Sequence, residues 1–265
     1  MPAETGTLTR EARNVEREST AAPAPRVSVH AAARPRLFAQ LNDAVRFPLA
    51  VVRGPAGAGK TALLADWPSR PPEQGGPGTA YAWLQTDALA ALPADGQRRA
   101  FWQLAAAALG LGGHDEPFES VLRSSPVPRL LVVDGAHLLA GPALEEDLVR
   151  LARSELPLHI LLATRTVLGL ERRLPLLDID IAVVGPDELR LTAAETHAVL
   201  AGGWLAECSA EVHERTAGQP WLVRAAKLRA AAAAAGRPHR NRAGAVYTLL
   251  AADAAAALDA LAPCP

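Results

Sequence analysis

Eight consecutive residues, Gly54-Pro55-Ala56-Gly57-Ala58-Gly59-Lys60-Thr61, bring together three glycines, an ammonium and a hydroxyl. Glycine tolerates positive φ and lets main-chain N–H groups approach an anion closely. Lys60 adds a compact positive charge and Thr61 a hydroxyl suited to Mg²⁺. A helix starting here would point the positive end of its dipole at the same place. The spacing G-x-x-x-x-G-K-T is the Walker A pattern, and its chemistry suits the polyphosphate of a nucleotide. Gly54, Pro55, Ala56, Gly57, Ala58, Gly59, Lys60, Thr61 and Ala62 are the expected contacts. Composition argues against accident: the chain has two lysines, Lys60 and Lys227, against twenty-five arginines. A glycine-rich turn of purely structural use is the bland alternative.

A second acidic position fits the first. Leu130-Leu131-Val132-Val133-Asp134 is a short apolar run ending in a carboxylate, about seventy residues beyond the loop. This is the Walker B pattern, expected on a buried strand beside the first, with Asp134 and Thr61 holding Mg²⁺. The next residue is Gly135, where many related ATPases carry a second acid to polarise water. His137 either senses the phosphate end or packs in its loop. Thr164-Arg165 follows the apolar run Leu158–Ala163. Arg165 is either a reporter of the γ-phosphate, the favoured reading, or a surface arginine paired with an acid. Asp87 lies either near the phosphates or at a helix cap.

These groups need a scaffold. The apolar run Leu49-Ala50-Val51-Val52 reads as the first strand, and 62–67 as the helix after the loop. Further strands are expected at 79–84, 130–134, 158–163 and 181–184, with helices over 97–109 and 142–154 between them. The 97–109 helix should cover the sheet with its aromatic face, and 142–154 should keep Glu145, Glu146, Asp147 and Arg150 off its apolar side. The stretch 68–78 is dense in Pro and Gly and reads as a surface loop. The expected class is α/β, a parallel sheet of about five strands flanked by helices, followed by a small all-helical domain. Thr192-Ala193-Ala194-Glu195 is a capping box opening that helical part, and Gly218-Gln219-Pro220 separates two of its helices. The expected divisions are a disordered leader over 1–30, a nucleotide-binding domain over 31–190 and a helical lid over 191–235. The rest, 236–265, reads as a linker and the start of an incomplete segment.

Bulk properties narrow the class. Hydrophobic residues at 49% can supply a core, and a net charge of −1 argues against coating nucleic acid. A basic run from Arg224 to Arg242 reads as a solvated face or linker, with a nucleic-acid contact the less favoured alternative. Two distant cysteines, Cys208 and Cys264, suggest neither a disulfide framework nor a zinc site. With no signal-peptide pattern and no long apolar stretch, the expectation is a cytoplasmic protein without membrane contact.

Taken in order, the pieces resemble the ATP-binding module of large LuxR-type transcription regulators of the maltose-activator kind, within the STAND class of P-loop NTPases. The residues carrying the resemblance are Arg34-Pro35-Arg36-Leu37, the loop Gly54 to Thr61 with Trp67, Ala82-Trp83-Leu84, Phe101-Trp102, Leu130 to Asp134 with His137, Thr164-Arg165, Leu189-Arg190-Leu191-Thr192 and Gly218-Gln219-Pro220. The resemblance implies bound ATP or ADP with Mg²⁺, and a helical lid that places Pro220 near the adenine. It also adds Arg36 to the nucleotide contacts, although Arg34 and Arg36 read equally well as surface charges. It implies a switch in which the ATP form self-associates, with no direct DNA binding by the residues present. Gly135 departs from the family and leads us to expect at most slow ATP hydrolysis. The family's winged-helix region, helical-repeat sensor and C-terminal helix-turn-helix are expected to be absent from this sequence. Two other readings compete: an AAA-like ATPase that turns over, and a degenerate domain that holds nucleotide only to stay folded.

Overall fold

The computed structural model describes residues 33–111, 118–124, 127–139, 141–173 and 179–234, together with Pro25. The leader expected over 1–30, Pro25 apart, and the segment expected over 236–265 lie outside these residues. The described chain forms two compact units. One contains Phe38–Arg53 and Leu64–Val184; the other contains Gly54–Leu63 and, where described, Val27–Leu37 and Gly185–Pro265.

The first unit is built on five strands: β1 (Leu49–Arg53), β2 (Ala80–Gln85), β3 (Arg129–Asp134), β4 (Leu158–Thr164) and β5 (Ile181–Val184). All pairings are parallel, in the order β2-β3-β4-β1-β5. The α/β expectation and its five strands therefore hold. The neighbour order does not. The Walker B reading puts Asp134 on a strand beside β1, but β4 lies between them: Asp134 is in register with Ala163 of β4, and Thr164 of β4 with Arg53 of β1. An apolar run announces that both faces of a strand are covered; it carries no information about which strand lies alongside.

Side-chain alternation divides the sheet's two faces. Leu49, Val51, Ala82, Leu84, Leu131, Val133, Ile160 and Leu162 share one core cluster with Phe101 and Ala105 of helix α3 (Ala94–Ala108) and with Leu144, Leu148 and Leu151 of helix α5 (Pro142–Ala152). The intervening Ala50, Val52, Leu130, Val132, Leu161 and Ala163 are buried as well. Helix α4 (Phe118–Arg123) adds Leu122 to the cluster. Phe101 and Trp102 meet edge to face at 4.8 Å, as the aromatic face predicts.

Asp147 corrects the expected polar face of α5. It is only 5% exposed, and accepts two hydrogen bonds from the Arg98 guanidinium, at 2.6 and 2.8 Å, and one from Trp102 Nε1 at 2.9 Å. The Arg98 hydrogen bonds hold its carboxyl below the usual carboxylate range, more than offsetting desolvation, which acts the other way. The Pro/Gly-rich loop after residue 66 is also more ordered than its composition suggests. It contains two short 3₁₀ turns, Trp67–Ser69 and Pro72–Gln74, with Trp67 and Pro68 buried. Trp67 Nε1 donates to Asn42 Oδ1 at 2.9 Å, and the Arg70 guanidinium lies 5.0 Å over the Phe38 ring. Both partners belong to helix α1 (Pro35–Ala44).

After β4 the first unit adds the short helix α6 (Gly169–Arg172), and the second unit contains helices α7 (Ala193–Leu200), α8 (Ser209–Thr216) and α9 (Pro220–Ala234). The capping box forms as its spacing requires: Glu195 N donates to Thr192 Oγ1, and Thr192 N to the Glu195 carboxylate. Leu191, Leu200, Leu205, Val212, Val223, Ala226 and Ala230 make its core. Gly218 has φ +68, and its carbonyl accepts a hydrogen bond from Leu191 N at 2.7 Å; a Cβ on Gly218 would stand 2.3 Å from Leu191 O. Only glycine fits that turn. Arg34, read as a possible surface charge, is instead 7% exposed and donates to the carbonyls of Leu189 at 2.8 Å and Arg190 at 2.7 Å. Burial weakens its hold on its proton, and nearby Glu195 partly restores it.

Candidate functional site

The chain leaves β1 at Arg53 and enters the glycine-rich loop, which ends where helix α2 (Lys60–Asp66) begins. Gly57 at φ +75 and Gly59 at φ +83 occupy the left-handed region, so the loop curls in a way that side-chain-bearing residues resist. Gly54 is needed for space: a Cβ there would meet Leu189 Cδ1 at 2.7 Å. Lys60 is 8% exposed and its Nζ donates to Gly54 O at 2.6 Å and Pro55 O at 3.0 Å. The ammonium is thus held across the loop by two carbonyls, a position from which an incoming anion can compete for it. Pro55, Ala56, Gly57 and Thr61 are exposed, and Ala62 is half-buried in the first turn of α2.

Within this unit the loop meets the start of α9. A Cβ on Gly59 would lie 3.8 Å from Pro220 Cβ, so the Gly-Gln-Pro turn and the loop are neighbours. Trp221 is closer still: a Cβ on Gly57 would stand 2.8 Å from both its Cβ and Cγ. Sequence reasoning missed Trp221 as a site residue. The available signal was an aromatic directly after a Gly-x-Pro turn in a chain with only five tryptophans. Arg36 is engaged elsewhere, donating to the carbonyls of Glu188 at 2.9 Å and Arg190 at 3.1 Å, with Glu195 at 3.6 Å.

In the first unit, Asp134 and Arg165 stand at the carboxyl ends of the adjacent strands β3 and β4. Asp134 is half-buried and Arg165 exposed. Gly135 follows at φ +87, and a Cβ there would be 2.6 Å from Thr86 Oγ1. That hydroxyl donates to Gly135 O at 2.7 Å, while Thr86 N donates to Asp134 O at 3.1 Å. A side chain at 135 would therefore face both a left-handed backbone and the Thr86 hydroxyl. Asp87 occupies the first turn of a 3₁₀ helix, Asp87–Leu89, and accepts from Gln85 Nε2 at 2.6 Å. His137 lies in the 3₁₀ turn Ala136–Leu138 and is half-buried.

Among the described residues, no three His, Cys, Asp or Glu side chains are grouped to hold a metal. Mg²⁺ does not require such a cage, because it commonly keeps waters and takes one or two protein ligands beside phosphate oxygens. Thr61 in one unit and Asp134 in the other each carry an oxygen donor of the kind Mg²⁺ takes.

A chain in the structure of Drosophila ORC bound to DNA superposes with a TM-score of 0.50 at 19% identity, covering 100% of this chain and 71% of that one. The likeness is one of fold, an α/β unit on a five-stranded parallel sheet flanked by helices. A single-residue variant of RuvB from Thermotoga maritima gives a TM-score of 0.47 at 15% identity, covering 83% of this chain and 70% of that one. In sequence, the chain is 28% identical over 192 residues to the HTH-type transcriptional regulator MalT of Cronobacter sakazakii (strain ATCC BAA-894), which is 63% of this chain and 20% of the relative. It spans about a fifth of that relative's length. No family model matches the chain. No helix among the described residues is long and apolar enough to cross a membrane.

Proposed function

We propose that this chain is an ATP- and ADP-binding switch module of the kind found in LuxR-type transcription regulators, holding nucleotide with little or no hydrolysis. The observation that carries this reading is the loop itself. Its left-handed glycines at 57 and 59 open the backbone, and Lys60 is tethered to two loop carbonyls at the start of a helix. In this reading Gly54 to Ala62 surround the polyphosphate, Thr61 and Asp134 ligate Mg²⁺, and Arg165 responds to the γ-phosphate. Pro220 borders the base, and Arg36, tied to the carbonyls of Glu188 and Arg190, supports the nucleotide site through that segment. The MalT similarity supports the regulator setting.

A binder that differentiates ATP from ADP must contact the two differently, since a ligand with equal affinity for two states shifts neither. Lys60 and Arg165 are the groups suited to that difference. Gly135 supports slow turnover, because its crowded turn offers no carboxylate to polarise water. The domain division, with a nucleotide-binding part over 31–190 and a helical lid over 191–235, belongs to the same proposal, as does self-association in the ATP form. The test is to purify the protein beside Lys60→Ala, identify co-purified nucleotide, and follow ATP over hours. Bound ATP that persists in the wild type and is lost in the variant supports the reading. Rapid conversion to ADP refutes the weak-hydrolysis part, and absence of any nucleotide binding refutes the whole.

A further inference from the structure

Trp221 is the second residue of α9, and its indole and Cβ fill the space beside Gly57. Gly57 is the first of the two left-handed glycines in the loop, and it carries no side chain with which to resist movement. The loop's first half, Pro55 to Gly57, is exposed, so its packing partner there bears strongly on its conformation. Pro220, one residue earlier, flanks Gly59. Two consecutive side chains at the head of one helix thus rest beside the two glycines that give the loop its curl.

The same helix is anchored at its other side. Val223, two residues after Trp221, is fully buried in the helical core with Leu191, Val212 and Ala226. A displacement of the loop at Gly57 must therefore either slide past the indole or carry α9 with it. Close-packed cores resist small continuous deformation, so a rigid aromatic wedged between a glycine loop and an anchored helix transmits strain.

We propose that Trp221 is a positioning residue of the nucleotide site: it holds the Gly57 half of the loop in its phosphate-accepting shape and passes the loop's occupancy to α9. This rests on the nucleotide-binding reading. Lys60 supplies the trigger, since an anion drawn to its ammonium competes with Gly54 O and Pro55 O, the two carbonyls that span the same half of the loop.

The test uses the full chain, a fluorescent ATP analogue, and Trp221→Ala, Trp221→Phe and Trp204→Phe. Losing the preorganising contact should weaken analogue binding about tenfold in Trp221→Ala, and Trp221→Phe, which keeps a ring on Gly57, should stay within about threefold. Unlabelled ATP should change the intrinsic tryptophan emission of the wild type and of Trp204→Phe, and that change should vanish in Trp221→Phe. The emission change locates the indole beside the bound nucleotide, and the loss of affinity in Trp221→Ala with its recovery in Trp221→Phe is what assigns it the positioning role. If Trp221→Ala does not fold, Trp221→Leu, which also lacks the ring, takes its place in the affinity comparison with Trp221→Phe. Unchanged or tighter binding by a folded Trp221→Ala, or an ATP-dependent emission change that survives in Trp221→Phe, overturns the inference alone. A wild type that binds no nucleotide overturns the nucleotide reading and this inference with it.

Discussion

Two glycine-bearing turns follow parallel strands in this chain and use the same backbone freedom to opposite ends. After β1, Gly57 and Gly59 curl a loop whose backbone from Pro55 to Gly57 is exposed and whose lysine is held by carbonyls. After β3, Gly135 adopts an almost identical φ, +87 against +83 at Gly59, but the Thr86 hydroxyl closes over it. A positive φ alone therefore says little about function. A filled Cβ place does not separate the turns either, since Trp221 fills it at Gly57 as Thr86 does at Gly135; the exposed backbone from Pro55 to Gly57 and the ammonium beside it set the first turn apart.

The strongest way to break this contrast is to disarm the open turn. Lys60→Ala removes the ammonium while leaving both left-handed glycines, and we expect it to weaken ATP binding about 100-fold, measured by titration calorimetry. An affinity unchanged by that substitution would mean the loop is as closed to phosphate as the turn at Gly135. The converse experiment fills the sealed turn. Gly135→Ala forces a side chain into the left-handed region and against Thr86 Oγ1, and should lower stability by about 2–3 kcal/mol in urea denaturation. Gly135→Glu should be at least as damaging and should leave phosphate release at baseline, because the acid cannot be accommodated in the observed turn. Adding Thr86→Ala to Gly135→Ala separates the two causes: it should recover about 1 kcal/mol from the steric part and leave the backbone strain.

The open turn is readable in the sequence and the sealed one is not. Glycine spacing, Lys60 and the flanking apolar runs report local chemistry, and local chemistry survives folding. Strand positions are readable for the same reason, since burial on both faces writes continuous apolar runs at 130–134 and 158–163. The neighbour order is not, because placing β4 between β1 and β3 depends on pairing that no single strand encodes. Thr86 lies forty-nine residues from Gly135, and only the β2–β3 register brings it there. Arg34, Asp147 and Trp221 escape a reading of the sequence for a related reason. Their roles come from partners 155, 49 and more than 160 residues away, which no local stretch of sequence names.

Arg34 sharpens the comparison from the side of the open turn. It holds the carbonyls of Leu189 and Arg190, and Leu189 Cδ1 is the atom that leaves Gly54 no room for a side chain. Arg34→Ala takes this donor from the Leu189 carbonyl and leaves the Arg190 carbonyl with Arg36 alone, and should cost about 2 kcal/mol. The more exposed Arg36, with its longer contacts, should cost about 0.5 kcal/mol on the same substitution. Equal losses, read from paired denaturation curves, would mean that burial of the guanidinium does not matter here.

The last expected effect concerns acid, and it singles out the unit that houses the sealed turn. Arg98 and Trp102 hold the Asp147 carboxyl below its ordinary value near 3.8, so the unfolded chain takes up that proton more readily than the folded one. The stabilisation is therefore complete above the ordinary carboxylate range and is lost as pH falls through the lower, folded-state value. Asp147→Asn keeps an acceptor for the indole but gives up the charge on which Arg98 closes, and should cost about 1 kcal/mol at neutral pH. It should also flatten the acid limb of stability against pH, and hydrogen exchange in α3 and α5 should then become less sensitive to acid than in the wild type. If the limb keeps its full slope in the variant, other carboxylates carry it, and the pair of buried Asp147 with exposed Arg98 contributes geometry without any pH-dependent stability.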